Sequence, residues 1–397
     1  MAEPSKLSRT IHPAYQLRRS VDTSRMQLSA SEQQMLFEEA ERVVSETLVT
    51  NELFIACDRK LPATSWVHVS GKDNLNVYQA RMGTTFNWDG AESTSLYSQS
   101  MPASVAVGDL PMYIATEVIA GTIEDVAFGA LAHTERLWRH RDAQVNDLHC
   151  DGRILTALHL PTPQDPFRSL VLKWSKKCVG PLSRVQDYIY IEANGIAFDA
   201  HGERFTYHLV HSSDTLCHLA DLQDVEHERG NISTCCISRQ RDQGVVEVFW
   251  RGVAASERSF YTDVLESYFT PETFVSCGYI VECSYIKKLV WLMHKKRLLN
   301  QRNLESSLVT SSPDSTHCGD CGTHYLGYSS LVAPWLPCQA CRNVTCHECS
   351  IIKALPLEVS STEVKNKPVA FCRRCVTEAN EIDAHEVAIT MFQTQHS

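Results

Sequence analysis

The chain has 397 residues, is 43% hydrophobic and carries a formal net charge of −10 at pH 7. That length exceeds one ordinary compact domain. The acidic balance excludes a surface built to coat nucleic acid, and no run of 18 apolar residues predicts a membrane-spanning helix.

The opening MAEPSKLSRTIHPAYQLRRS lacks an apolar signal core, so residues 1–27 read as a disordered polar arm. Ser31 with Gln34 fits a capping box. Met35, Leu36, Ala40, Val43, Val44 and Leu48 recur at helical spacing, which predicts a helix over 30–56. Trp66–Val69 and Leu75–Arg81 read as strands, 84–100 as a polar loop, and Ser104–Gly108 and Met112–Ala120 as further strands. Thr122 caps a helix through TIEDVAFGALAH, where Glu124 and Asp125 suit the positive end of the helix dipole.

The middle of the chain alternates with period two. In DYIYIEANGI, Tyr188 and Tyr190 face one way and Ile189 and Ile191 the other. Phe205, Tyr207 and Leu209 share a face in RFTYHLVHS, as do Val246, Val248 and Trp250 in VVEVFW. Ile154–Leu160, Ser169–Ser175 and Ile232–Arg239 fit strands as well. The pattern predicts antiparallel strands, each with one face on a core. Thr270 and Pro271 then open a long helix with a stripe of Val275, Tyr279, Ile286, Val290 and Met293, closed by Lys295, Lys296 and Arg297 in its last turn. Residues 300–316 are Ser/Thr-rich and read as a linker.

Of the 16 cysteines, Cys57, Cys150, Cys178, Cys217, Cys235, Cys236, Cys277 and Cys283 are scattered and read as structural. The other eight form four CxxC pairs, Cys318/Cys321, Cys338/Cys341, Cys346/Cys349 and Cys372/Cys375, separated by gaps of 16, 4 and 22 residues. A two-residue spacer lets both thiolates of a pair reach one metal, and four thiolates close a tetrahedral zinc shell with no open position. Eight ligands therefore predict two structural zinc ions. The cluster points to metal rather than disulfides and to a reducing compartment, the cytosol or the nucleus. Spacing alone leaves two pairings: pairs one with three and two with four, or a cramped site made of the four middle cysteines. His317, His324 and His347 read as ordinary surface histidines beside a complete thiolate set.

CRNVTCHECSIIKALP followed by KNKPVAFCRRCV resembles the second half of a FYVE zinc finger. The resemblance implies a cross-brace topology over 317–378, with 379–397 as a C-terminal tail, and docking on an endosomal membrane or on a protein partner. The family's lipid-binding pattern is altered here. The segment before Cys318 has Asp314 but no Trp, Cys338 follows Trp335, Leu336 and Pro337 instead of a basic run, and Ala370 and Phe371 precede Cys372 where the family has arginine. Residues 313–376 hold six Lys/Arg against five Asp/Glu, too few converging cations to grip a phosphomonoester. Trp335 and Leu336 suit a membrane wedge or a protein contact.

TIEDVAFGAL, TPQDPFRSLVLKW, DYIYIEANGI, FTYHLVHS and IKKLVWLM resemble, in this order, the START-like domains that precede FYVE-type fingers. The implied fold is α+β: a helix-grip START-like domain over 28–299, a curved antiparallel sheet around a long C-terminal helix, followed by the small two-zinc finger. The resemblance also implies a lipid or sterol ligand, with aromatic strand faces such as Phe205, Tyr207 and Trp250 as lining. No catalytic or nucleotide-binding motif stands out. The expected protein is non-enzymatic, cytoplasmic and peripheral on endomembranes. A ligand-free scaffold is the alternative, and a RING-like ubiquitin ligase a more distant one.

Overall fold

Ser29, not Ser31, sets the first helix. Its hydroxyl accepts from the Glu32 amide while Glu32 reaches back to the Ser29 amide, a reciprocal cap that starts α1 (Ala30–Ala56). The computed structural model describes residues 28–72, 74–81, 112–145, 151–179, 184–213, 215–216, 228–256, 271–306, 317–324, 335–359 and 364–395. The predicted arm at 1–27, the loop at 84–100, the strand at 104–108, Thr270, and residues 307–316 of the predicted linker lie outside them.

Among the described residues, nine strands form one sheet: β1 (Trp66–Lys72), β2 (Leu75–Ala80), β3 (Tyr113–Ala120), β4 (Asp151–His159), β5 (Ser169–Val179), β6 (Arg184–Phe198), β7 (Arg204–His211), β8 (Glu228–Asp242) and β9 (Val245–Ser256). Their order is β1-β2-β3-β9-β8-β7-β6-β5-β4, and each neighbouring pair is antiparallel. Beyond the end of the short β7, β6 and β8 also meet in parallel at Tyr188 and Gly230. Gly244, at φ +73°, makes the tight β8–β9 turn that an L side chain would strain.

The period-two alternation divides the faces as expected. Leu172, Trp174, Ile189, Ile191, Phe205, Leu209, Cys235 and Ile237 pack under Leu36, Ala40 and Val43 of α1. Phe205 and Tyr207, read from the sequence as possible cavity lining, thus pack on the α1 side of the sheet. The opposite face carries Val246, Val248, Tyr188 and Tyr190 and is covered by α2 (Ile123–Ala130), α3 (Glu135–Val145) and α4 (Pro271–Ser306). The sequence reading did not include α3. Thr122 caps α2 through the Asp125 amide, as the sequence suggested.

The long helix runs seven residues into the segment read as linker, reaching Ser306. It crosses α2 so closely that a Cβ on Gly129 would lie 1.9 Å from the Ile280 carbonyl oxygen. Two buried cations cap the C-terminal carbonyls of α2. Lys287 donates to Phe128, Gly129 and Leu131 at 2.5, 3.1 and 3.0 Å, and Arg141 to Ala130 at 2.9 Å. Among the described residues, no helix is long and apolar enough to cross a membrane.

Candidate functional site

The cysteine-rich region is small: β10 (Leu336–Pro337) pairs with β11 (Val344–Thr345), β12 (Ser350–Val359) pairs with β13 (Val364–Cys372), and α5 (Arg373–Glu381) follows. The eight sulfurs form two groups. Cys318, Cys321, Cys346 and Cys349 converge, and so do Cys338, Cys341, Cys372 and Cys375, with all ligand atoms of a group within 4.8 Å. Pair one therefore meets pair three and pair two meets pair four; the four middle cysteines do not share a site. Across pairs, Cys321 Sγ lies 3.7 Å from Cys346 Sγ, and Cys341 Sγ lies 3.9 Å from Cys372 Sγ. Metal–sulfur bonds of about 2.3 Å at tetrahedral angles place sulfurs about 3.8 Å apart, whereas a disulfide needs about 2.05 Å. The spacing fits a metal held by four thiolates.

Two turns share the backbone geometry that aims these sulfurs. Gly322 donates to the Cys318 carbonyl and Arg342 to the Cys338 carbonyl, both at 2.9 Å, and both residues have positive φ, +72° and +69°. Backbone amides point at the sulfurs, Cys346 N at Cys318 Sγ and Cys375 N at Cys372 Sγ, each 3.4 Å away. Burial pushes the Cys318 thiol up, but amide donors from Cys321, Cys346 and Asp320 outweigh it and lower the thiol to about 6. Outside the clusters, burial pushes Cys235 up to about 12 and Cys283 up to about 11, as expected of inert structural thiols.

The second thiolate group rests on the long helix. Ile286, Leu289, Leu292 and Met293 of α4 pack with Leu355, Val369, Phe371, Cys372, Cys375 and Ala379. Phe371, which precedes Cys372, is fully buried in this cluster. The basic triplet of α4 is not in its last turn, and two of its members serve the same contact. Lys296 bonds Glu378 at 2.5 Å and approaches Cys375 Sγ at 3.4 Å, Arg297 bonds Gln339 at 3.2 Å, and Lys295 lies 3.6 Å from Glu386. Lys353 of β12 pairs with Glu282 of α4 at 2.7 Å. Trp335 and Leu336 are half-buried.

One buried ammonium ties three elements together. Lys288 Nζ donates to Asp125 Oδ1 of α2 at 2.8 Å and to the carbonyls of Asn380 and Ile382, at the end of α5, at 2.8 and 3.0 Å. Ser284 donates to the same Asp125 oxygen at 2.7 Å. Past this point the predicted tail is a helix, α6 (Ala384–Gln395), and Ala384, Val387 and Ala388 pack on Ala127, Phe128, Leu131 and Phe167.

Under α3, the α4-side face of the sheet carries a buried charge cluster that the sequence reading missed. Arg141 bonds both oxygens of Glu192, at 2.6 and 3.2 Å, and Lys173 bonds one at 2.9 Å. Lys173 also sits 4.4 Å from the centre of the Trp138 ring. Desolvation opposes ionised Glu192, but Arg141 and Lys173 outweigh it and hold the carboxyl well below its ordinary range. Burial pushes Lys173 down to about 8. Each of these charges has an opposite partner, and Trp138, Tyr188, Tyr190 and Ile232 pack together beside them.

No family model matches the chain, and no curated protein matches it by sequence. Among solved structures, human StAR-related lipid transfer protein 5 is similar over 60% of this chain and 96% of its own, with 10% identity and a TM-score of 0.37. Human STARD10 is similar over 65% and 84%, with 6% identity and a TM-score of 0.35. A STAR-related lipid transfer protein fragment from Xanthomonas axonopodis is similar over 55% and 99%, with 11% identity and a TM-score of 0.32. Likenesses this distant establish no function for the chain.

Proposed function

We propose that this chain is a non-enzymatic adaptor in which a START-type helix-grip domain, holding a lipid or sterol beneath α4, presents a FYVE-related two-zinc finger in a fixed orientation. The observation that carries the reading is the double use of α4. Ile280, Val281 and Lys287 face the sheet-covering α2, while Leu289, Leu292 and Met293 carry the second thiolate group. The interleaved four-thiolate groups support a cross-brace finger with two structural zinc ions. Four thiolates leave no open position for catalysis. The segments that resemble START-like domains fall on α2, β5, β6, β7 and α4, the elements that build the grip.

The finger has turned part of its family's lipid-facing surface inward. Phe371 is buried on α4 in place of an arginine, and Gln339, beside Cys338, is engaged by Arg297. The proposed docking partner is therefore a protein, or an endomembrane contacted on the cytoplasmic side without a phosphoinositide grip.

Native mass spectrometry of the reduced full-length chain, followed by denaturing mass spectrometry, tests this. Two zinc ions plus a released mass of lipid size is the expected result. Two zinc ions and no small molecule favours a second reading, a filled scaffold, which the Trp138, Arg141 and Glu192 packing supports. Fewer than two zinc ions overturns the metal assignment.

A further inference from the structure

We propose that His317 and His324 form a third metal site, a two-imidazole clip for a divalent transition-metal ion, separate from both four-thiolate groups. These histidines bracket the first CxxC turn, and chain reversal there brings them side by side as an antiparallel bridge. Their Nε2 atoms are 2.9 Å apart while the ring centroids are 3.7 Å apart, so the rings lean together at their nitrogen tips. Both side chains are exposed.

The backbone beneath the pair is fixed by bonds from Cys318 N to Thr323 O, at 2.8 Å, and from Gly322 N to Cys318 O, at 2.9 Å. The first CxxC turn, once its thiolates hold metal, would keep the two imidazoles in register. Pre-organisation of this kind lowers the ordering cost of binding. Without an ion, the short contact is a hydrogen bond from one Nε2–H to the other Nε2. An exposed bond of this kind contributes only about 1 kcal/mol and is readily given up for two metal–nitrogen bonds.

Imidazole suits nickel(II), copper(II) and zinc alike, so the clip differs from the thiolate groups in its donors. To hold one ion the two rings turn so that both Nε2 lone pairs meet at it, which replaces the present contact between the nitrogens. Water completes the coordination on the exposed side.

Nickel(II) is the better probe because it leaves thiolates unoxidised. Equilibrium dialysis of the reduced full-length chain against nickel(II), with zinc counted by elemental analysis, should give one additional nickel and unchanged zinc. H317A and H324A should each weaken that nickel by roughly tenfold or more through loss of one of two donors. H347A, which removes an exposed imidazole outside the pair, should leave it unchanged. Retention of zinc in each variant reports that the finger is still folded. Nickel(II) is also paramagnetic, so titration of the unaltered chain should broaden the NMR signals of two histidines before all others. The proposal is overturned if the H317A/H324A double variant binds nickel like the unaltered chain, if nickel expels zinc, or if histidines outside the pair broaden first.

Discussion

Lys288 joins the sheet-covering helix α2, the long helix α4 and the end of α5 in a single buried contact. Replacing it with Met keeps most of the aliphatic stem and removes only the charge. Asp125, itself buried, then keeps the hydroxyl of Ser284 at 2.7 Å and that of Thr122 at 2.9 Å but loses its counter-charge, while two carbonyls lose their donor. Removing one partner of a buried ion pair costs about 3–5 kcal/mol. The surviving hydroxyl donors place Lys288→Met near the lower end, about 3 kcal/mol. Asp125→Asn in the same background removes the orphaned charge. The double variant should therefore recover about 1–2 kcal/mol relative to the sum of the single changes. Urea unfolding of all four proteins, followed by tryptophan fluorescence, measures both values. A Lys288→Met cost under about 1 kcal/mol, or strictly additive costs in the double variant, refutes the idea that this ammonium rivets the two halves.

Gly129→Ala should destabilise by about 2–4 kcal/mol, because its Cβ meets the Ile280 backbone oxygen at 1.9 Å and a backbone atom yields little. Gly202→Ala meets open space and should cost only about 1 kcal/mol, from its positive φ; denaturant midpoints compare the two. Burial pushes His133 and His140 down to about 4 from an ordinary value of 6.5. Below pH 6.5 the unfolded chain takes up these protons first. The stability they contribute is thus complete above 6.5 and is lost as pH falls towards 4. His133→Gln should reduce the proton uptake on unfolding by about one between pH 6 and 5. Midpoints at several pH values report this, and an unchanged slope contradicts it.

Much of the sheet was legible because its alternation is clean. Tyr188 and Tyr190 do lie opposite Ile189 and Ile191, and a one-residue register error would have inverted every side chain. The long helix was legible in its apolar stripe, but its end was not. Residues 300–306 are mostly polar, and polarity looks the same in a helix as in a linker. Helix α3 was hidden for a related reason. Arg141 and Asp142 are charged yet buried, and Arg141 finds its partner Glu192 on a distant strand, so ERLWRHRDAQV reads in sequence as a polar, solvated stretch. The CxxC pairs announced themselves locally, and the structure brings pair one to pair three and pair two to pair four. Nothing local showed that the finger lies against α4. Leu289, Leu292 and Phe371 read as ordinary core residues, and only the assembled structure reveals that they belong to one core.

Metal-dependent hydrogen exchange tests the shared core most directly. Chelation removes the constraint that holds Leu355 and Phe371 on Ile286, Leu289, Leu292 and Met293. Burial of each such side chain contributes about 1.5–3 kcal/mol, so losing several rivals the roughly 5–15 kcal/mol of a typical domain. Exchange should therefore accelerate along α4 from 281 to 293 and in α2, as well as in the finger itself. Faster exchange confined to residues 317–381, with 281–293 as protected as in the metal-loaded chain, would contradict the account.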